Sequence, residues 1–193
     1  CERYDAWLLL DDAHGFGVLG PDGKGILQHF QVRSPRIIAM ATLGKAAGVS
    51  GAFVAGDATL IETLVQNART YIYTTATPPM LAGALLQSLK IIGQDSWRRE
   101  HLRELLTALK AGLRTRRWRL MASETAIQPL LIGSNEEAIS VSERLLEMGI
   151  LVPAIRPPTV PANTARLRIS LSAAHSLEDV AQLIQALNAL EAA

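Results

Sequence analysis

The sequence predicts an α/β protein: part of a large mixed-sheet domain over residues 1–95, followed by a small α+β domain over 96–193. Three observations predict this. Residues 6–11 form an apolar run that ends in Asp11-Asp12 and enters a glycine-rich stretch, the pattern of a buried parallel strand delivering residues into a loop. After Ser123, short apolar runs alternate with amphipathic segments, which reads as a compact α+β unit. A hydrophobic content of 49% and a net charge of +1 over 193 residues supply a core without the charge excess of a disordered chain.

The first strand, 6–11, leads into Gly15 to Gly25, where five glycines mark a loop of unusual backbone conformations. Residues 37–42 and 51–55 read as two further strands, with Leu43-Gly44-Lys45-Ala46-Ala47-Gly48 as the turn between them. Residues 58–69 have helical spacing, 71–77 read as an extended polar-aromatic segment, and Pro78-Pro79 opens a helix to about Gln94. Residues 97–119 read as one long basic amphipathic helix. The remainder reads as strand 127–132, helix 136–148, strand 151–155, a proline-rich loop, strand 166–171 and helix 177–190.

Composition excludes several classes of function. The near-zero net charge gives no field that would draw nucleic acid or an anionic membrane. The longest apolar runs fall far below the roughly 18 residues of a membrane span. Cys1 is the only cysteine, which leaves no internal disulfide framework or cysteine-rich metal site and suits a cytoplasmic setting. The chain opens on a cysteine with a strand beginning almost at once, so the N-terminal half of a longer protein is expected to lie upstream.

The candidate chemistry lies at the strand ends. Asp11, Asp12 and His14 fall at the carboxyl end of the first strand, where open α/β sheets place ligand-binding groups. A carboxylate there suits a cationic ring nitrogen, and His14 suits an oxygen on the same ring. The same residues also fit a simpler role, with Asp12 capping the loop and His14 satisfying backbone groups. Lys45 has small neighbours that leave room for a planar ligand, and a desolvated amine there forms an imine with an aldehyde. A lone lysine in a glycine turn also fits a solvated surface charge. Thr42, Thr74 and Thr75 offer hydroxyls to phosphate oxygens, and threonine is equally a good strand residue. Arg166 and Arg168 alternate along one strand and share a face that suits a carboxylate, or an exposed edge. Arg116, Arg117 and Arg119 read as a solvated helix face.

Taken in order, Asp11-Asp12-Ala13-His14-Gly15, Gly20 to Gly25, Thr42-Leu43-Gly44-Lys45-Ala46, Tyr73 to Pro79 and Ala165 to Ser170 resemble the α-oxoamine synthases. These are fold-type-I pyridoxal-phosphate enzymes that condense an amino acid with an acyl thioester and release CO2. The resemblance implies that Lys45 carries pyridoxal phosphate, Asp11 holds the pyridine nitrogen protonated, and His14 bonds the phenolic oxygen. It further implies Thr42 on the phosphate, Thr74 and Thr75 on the phosphate of a neighbouring subunit of a homodimer, and Arg168 on the substrate carboxylate. Arg156 and Thr159 fall in the loop expected near the acyl chain. The segment Ala154 to Pro161 with Thr164 to Arg168 is most similar to the member that joins L-alanine to pimeloyl-CoA or a pimeloyl carrier protein in biotin synthesis. A glycine-using 2-amino-3-ketobutyrate CoA ligase, a generic aminotransferase and a truncated piece that only binds a partner are the competing readings. The family also draws site residues from its N-terminal half, so the chain by itself is expected to be inactive.

Overall fold

The computed structural model describes residues 1–192, and the chain divides into two compact units, Cys1–Ser96 and Trp97–Ala193. In the first, a 3-10 turn at Glu2–Tyr4 precedes β1 (Leu8–Asp11), which pairs in parallel with β2 (Ile37–Thr42). On its other side β2 pairs antiparallel with β3 (Ala52–Ala55). The central strand is the buried one, through Ile37 and Ala41. Within this chain Leu8 and Leu9 are 38% and 69% exposed. There β1 has β2 as its one partner among the described residues, and an apolar strand is buried on both faces only where further neighbours flank it.

The glycine-rich loop folds back on itself, with Phe16 bridged to Lys24 and the Gly17 N–H donating to the Gly23 carbonyl at 2.8 Å. It ends in a one-turn helix, α1 (Ile26–His29). Helix α2 (Ala58–Asn67) starts where the Asp57 carboxylate accepts from the Thr59 N–H, a side-chain N-cap. It stops at Asn67, and α3 (Arg69–Ile72) takes the first residues of the segment read as extended. Helix α4 (Pro79–Gln94) begins with proline in its first turn, as expected.

In the second unit α5 (Ser96–Gly112) ends at Gly112 rather than at Arg119. Asn188, far away in sequence, caps that end: its Nδ2 donates to the Gly112 carbonyl at 3.0 Å and its Oδ1 accepts from the Arg114 N–H at 2.9 Å. A Cβ on Gly112 would stand 2.7 Å from Ile184 Cδ1, so only glycine allows this approach without repacking. Arg116, Arg117 and Arg119 therefore lie in a loop and in β4 (Arg119–Leu120), not on a helix face. The sheet order is β4, β5 (Ile127–Gly133), β7 (Ala165–Ser170), β6 (Ala154–Ile155), with antiparallel pairing throughout. The strand expected over 151–155 forms only at its last two residues. Helices α6 (Asn135–Glu147) and α7 (Leu177–Ala192) complete the unit.

Strand β7 shows period-two burial: Ala165, Leu167 and Ile169 are buried, and Arg166 and Arg168 project from the other face. Leu105, Leu109, Leu130, Leu145 and Leu187 are fully enclosed with Leu167, each contributing about 1.5–3 kcal/mol. Among the described residues no helix is long and apolar enough to cross a membrane.

The 116–118 loop is held by one carboxylate. Glu191 accepts from the N–H groups of Arg116, Arg117 and Trp118 at 2.7–2.9 Å. Burial opposes its ionisation, but the N–H groups of Trp118, Arg116 and Arg117 and the Arg117 charge outweigh that and hold its pKa below the ordinary 4.5. A depressed carboxyl stabilises the fold fully above its unfolded value and loses that contribution as pH falls through the folded value. Glu191→Gln is thus expected to cost about 1–3 kcal/mol at pH 7, with the difference closing below about pH 4. Thermal unfolding across pH 3–7 measures it, and a gap independent of pH would refute the assignment.

Candidate active site

The first unit gathers its reactive groups at the carboxyl ends of β1 and β2. Asp11 closes β1 opposite Met40 of β2, and Thr42 closes β2 two residues further on. Parallel pairing makes this one edge, so the two side chains are delivered to the same end of the sheet. The turn after Thr42 carries Lys45, whose Nζ donates to Thr42 Oγ1 at 3.0 Å. Within this chain Lys45 is exposed. Gly48 leaves open space, since a Cβ there meets nothing within 4 Å, whereas one on Gly44 would touch the Val49 carbonyl at 3.4 Å.

The backbone of the Lys45 turn is closed by the Gly48 N–H on the Lys45 carbonyl at 2.9 Å. The Leu43 N–H donates to Gly51 and the Val49 N–H to Leu43, both at 2.8 Å. Gly17 packs on this turn; a Cβ there would lie 2.7 Å from Ala46 Cβ. Ser88 of α4 donates its hydroxyl to the Ala47 carbonyl at 2.6 Å. Ser88 was not singled out from the sequence, because a helical serine carries no spacing signal.

The adjacent aspartates do different work. Asp11 Oδ1 accepts from the Ala13 N–H at 2.9 Å, which shapes the turn bearing His14. Asp12 points into the glycine-rich loop, where its Oδ2 accepts from the Ile26 N–H at 2.9 Å. A Cβ on Gly25 would stand 1.8 Å from that oxygen, and Gly25 has φ +86°, so this position requires glycine twice over. Burial raises the Asp12 carboxyl above its ordinary value, with the Ile26 N–H opposing the rise and the Asp11 charge adding to it. The capping role weighed for Asp12 is therefore the one it plays. His14 is exposed in the turn that follows. Thr74 and Thr75 are exposed between α3 and α4.

The remaining expected residues belong to the second unit. Arg166 is engaged locally: Nε and Nη2 donate to the carbonyl and hydroxyl of Thr164 at 3.0 and 3.1 Å, and Nη1 lies 3.3 Å from Met121 Sδ. Arg168 is half-buried on the same face and makes no side-chain hydrogen bond among the described residues. Arg156 and Thr159 are exposed in the proline-rich loop, joined by the Thr159 N–H donating to the Arg156 carbonyl at 3.0 Å.

An aspartate, a threonine and a lysine at one carboxyl edge of a mixed sheet, with a glycine-rich loop beside them, define a class. The family model for aminotransferase class I and II matches residues 1–187, and the chain belongs to that family. It is 65% identical over 193 residues to the 8-amino-7-oxononanoate synthase of Methylobacillus flagellatus, covering 100% of this chain and 49% of that protein. The solved 8-amino-7-oxononanoate synthase of Francisella tularensis is similar with a TM-score of 0.82 and 32% identity, covering 94% of this chain and 54% of that one. A serine palmitoyltransferase from S. paucimobilis, solved with pyridoxal phosphate and myriocin bound, gives a TM-score of 0.89 at 27% identity, covering 98% of this chain and 48% of that one. The fold-type-I transferase architecture expected from the resemblance is thus the architecture observed. The chain spans about half the length of the curated relatives it matches.

Proposed function

We propose that this chain is the lysine-bearing half of an α-oxoamine synthase that uses pyridoxal phosphate to join L-alanine to a pimeloyl thioester, on CoA or a carrier protein. The products are 8-amino-7-oxononanoate, the free thiol and CO2. The observation that carries this reading is the placement of Asp11, Thr42 and Lys45 on one sheet edge, with Lys45 Nζ 3.0 Å from Thr42 Oγ1. The identity of 65% over the whole chain to a relative of that name supports the choice of substrates.

The donor set fits the cofactor: an amine for its aldehyde, a carboxylate for its ring nitrogen, a hydroxyl for its phosphate, and open space beside Gly48 for a flat ring. When bound, pyridoxal phosphate supplies a ring that stabilises negative charge at the amino-acid Cα. Lys45 would hold the group through Nζ, and the same amine would serve as the base that takes the amino-acid Cα proton and returns one. Asp11 would keep the proton on the ring nitrogen, His14 would bond the phenolic oxygen, and Thr42 would bond the phosphate. Arg168 binds the alanine carboxylate, and Arg156 and Thr159 line the approach of the acyl chain. Thr74 and Thr75 serve the phosphate of the second subunit in a cytoplasmic homodimer. The first unit is the remainder of the cofactor-binding domain and the second is the small domain.

The test uses a chimaera in which this chain replaces the matching half of the Methylobacillus flagellatus relative, alongside the chain alone. Release of CoA and of the amino ketone from pimeloyl-CoA is expected with L-alanine at least about tenfold faster than with glycine, the one-methyl discrimination a small pocket gives. Preference for glycine, or transamination without thiol release, would overturn the assignment. The chain alone is expected to show no turnover.

A further inference from the structure

Ser88 stands in the middle of α4, where a serine ordinarily turns its hydroxyl to the carbonyl four residues back. Here the hydroxyl leaves its own helix and donates to the carbonyl of Ala47 at 2.6 Å, across 41 residues of sequence. Ala47 is 5% exposed, so its carbonyl has little access to water and depends on this partner. Among the described residues this is the one side-chain hydrogen bond made to the backbone of the Gly44–Gly48 turn. One helical turn beyond Ser88, Ile92 Cδ1 lies 3.5 Å from where a Cβ on Gly17 would stand, and Ala46 Cβ lies 2.7 Å from the same point. The peptide after Lys45 is therefore held by α4, through Ser88, and packed against by the glycine-rich loop, through Gly17.

Lys45 itself has little to fix it. Its side chain is exposed, has four rotatable bonds and makes one bond, to Thr42. A lysine that must hold a cofactor, release it and then act on a proton changes partners during the reaction, so its Thr42 contact cannot serve as a permanent anchor. The backbone beneath it can. We infer that Ser88 is a positioning residue for Lys45: by holding the Ala47 carbonyl it fixes the turn from which the lysine amine reaches its reacting partners. The inference rests on the proposed role of Lys45 as the reacting amine. A turn free to shift by about 1 Å moves a reacting amine far enough to slow chemistry markedly while leaving substrate affinity nearly intact.

The chimaera described above carries the test, as Ser88→Ala and Ser88→Thr. With pyridoxal phosphate, Ser88→Ala is expected to shift the pH midpoint of the visible absorbance band. Its kcat should fall about tenfold with KM for L-alanine within about twofold, because no group that binds substrate has been removed. Ser88→Thr, which retains the hydroxyl, should restore both. Ser88→Cys keeps the volume with a weaker donor and is read by the same pH midpoint if the alanine variant does not accumulate. An unchanged midpoint and kcat in Ser88→Ala, or equal impairment of the alanine and threonine variants, overturns the inference alone. Absence of any visible band in the unsubstituted chimaera overturns the cofactor reading and this inference together.

Discussion

Lys45→Ala in the chimaera is expected to abolish the visible band formed with pyridoxal phosphate and to lower turnover by at least about a thousandfold. The size follows from two losses at one atom. Removing the amine deletes the covalent attachment, and it deletes the proton acceptor, a contribution of about 10²–10⁴ by itself. Stability provides the control. Lys45 is exposed and its one hydrogen bond is to Thr42, so its loss should change the unfolding free energy by no more than about 0.5 kcal/mol. Lys45→Arg sharpens the result, because a guanidinium keeps the charge yet does not condense with an aldehyde at neutral pH. If Lys45 were only a solvated surface charge, both variants would retain the band and the rate. Loss in both with unchanged unfolding identifies the amine itself as the requirement.

Sequence alone disclosed the parts of this fold whose determinants are local. Residues 37–42 are uniformly small or apolar between Pro35-Arg36 and the Gly44 turn, and β2 has those bounds. Pro79 marks the start of α4, and the alternation through Ala165, Arg166, Leu167 and Arg168 marks β7. Where the expectation failed, the cause lay far along the chain. The end of α5 is fixed by Asn188 and by the contact of Gly112 with Ile184, neither of which leaves a trace near residue 112. The candidate site divides in the same way. Asp11, Thr42 and Lys45 were legible because they follow predicted strands, whereas Ser88 becomes visible only when α4 is seen against the Ala47 carbonyl. The separation of Arg166 from Arg168 was beyond sequence for a related reason: alternation puts both on one face, and only the bonds to Thr164 and Met121 distinguish them.

That separation sets the second large effect. Arg168 is a half-buried residue with no side-chain hydrogen bond among the described residues, which leaves its guanidinium donors available to an anion. Arg168→Ala is therefore expected to raise KM for L-alanine about a hundredfold in the chimaera, the loss of a charge-assisted, two-point contact of about 3 kcal/mol. Arg168→Lys should recover only part of this, since a point charge cannot reproduce the planar fork. Arg166→Ala makes the contrast. Its bonds to Thr164 and Met121 are internal, so it should lower the unfolding midpoint while leaving KM within about threefold. Ethylamine, which lacks the carboxylate, gives an independent measure: its binding should be indifferent to Arg168→Ala if the guanidinium recognises the carboxylate. Weakening of alanine and ethylamine alike would show that Arg168 supports the fold of the second unit, and the carboxylate site would then have to be sought elsewhere.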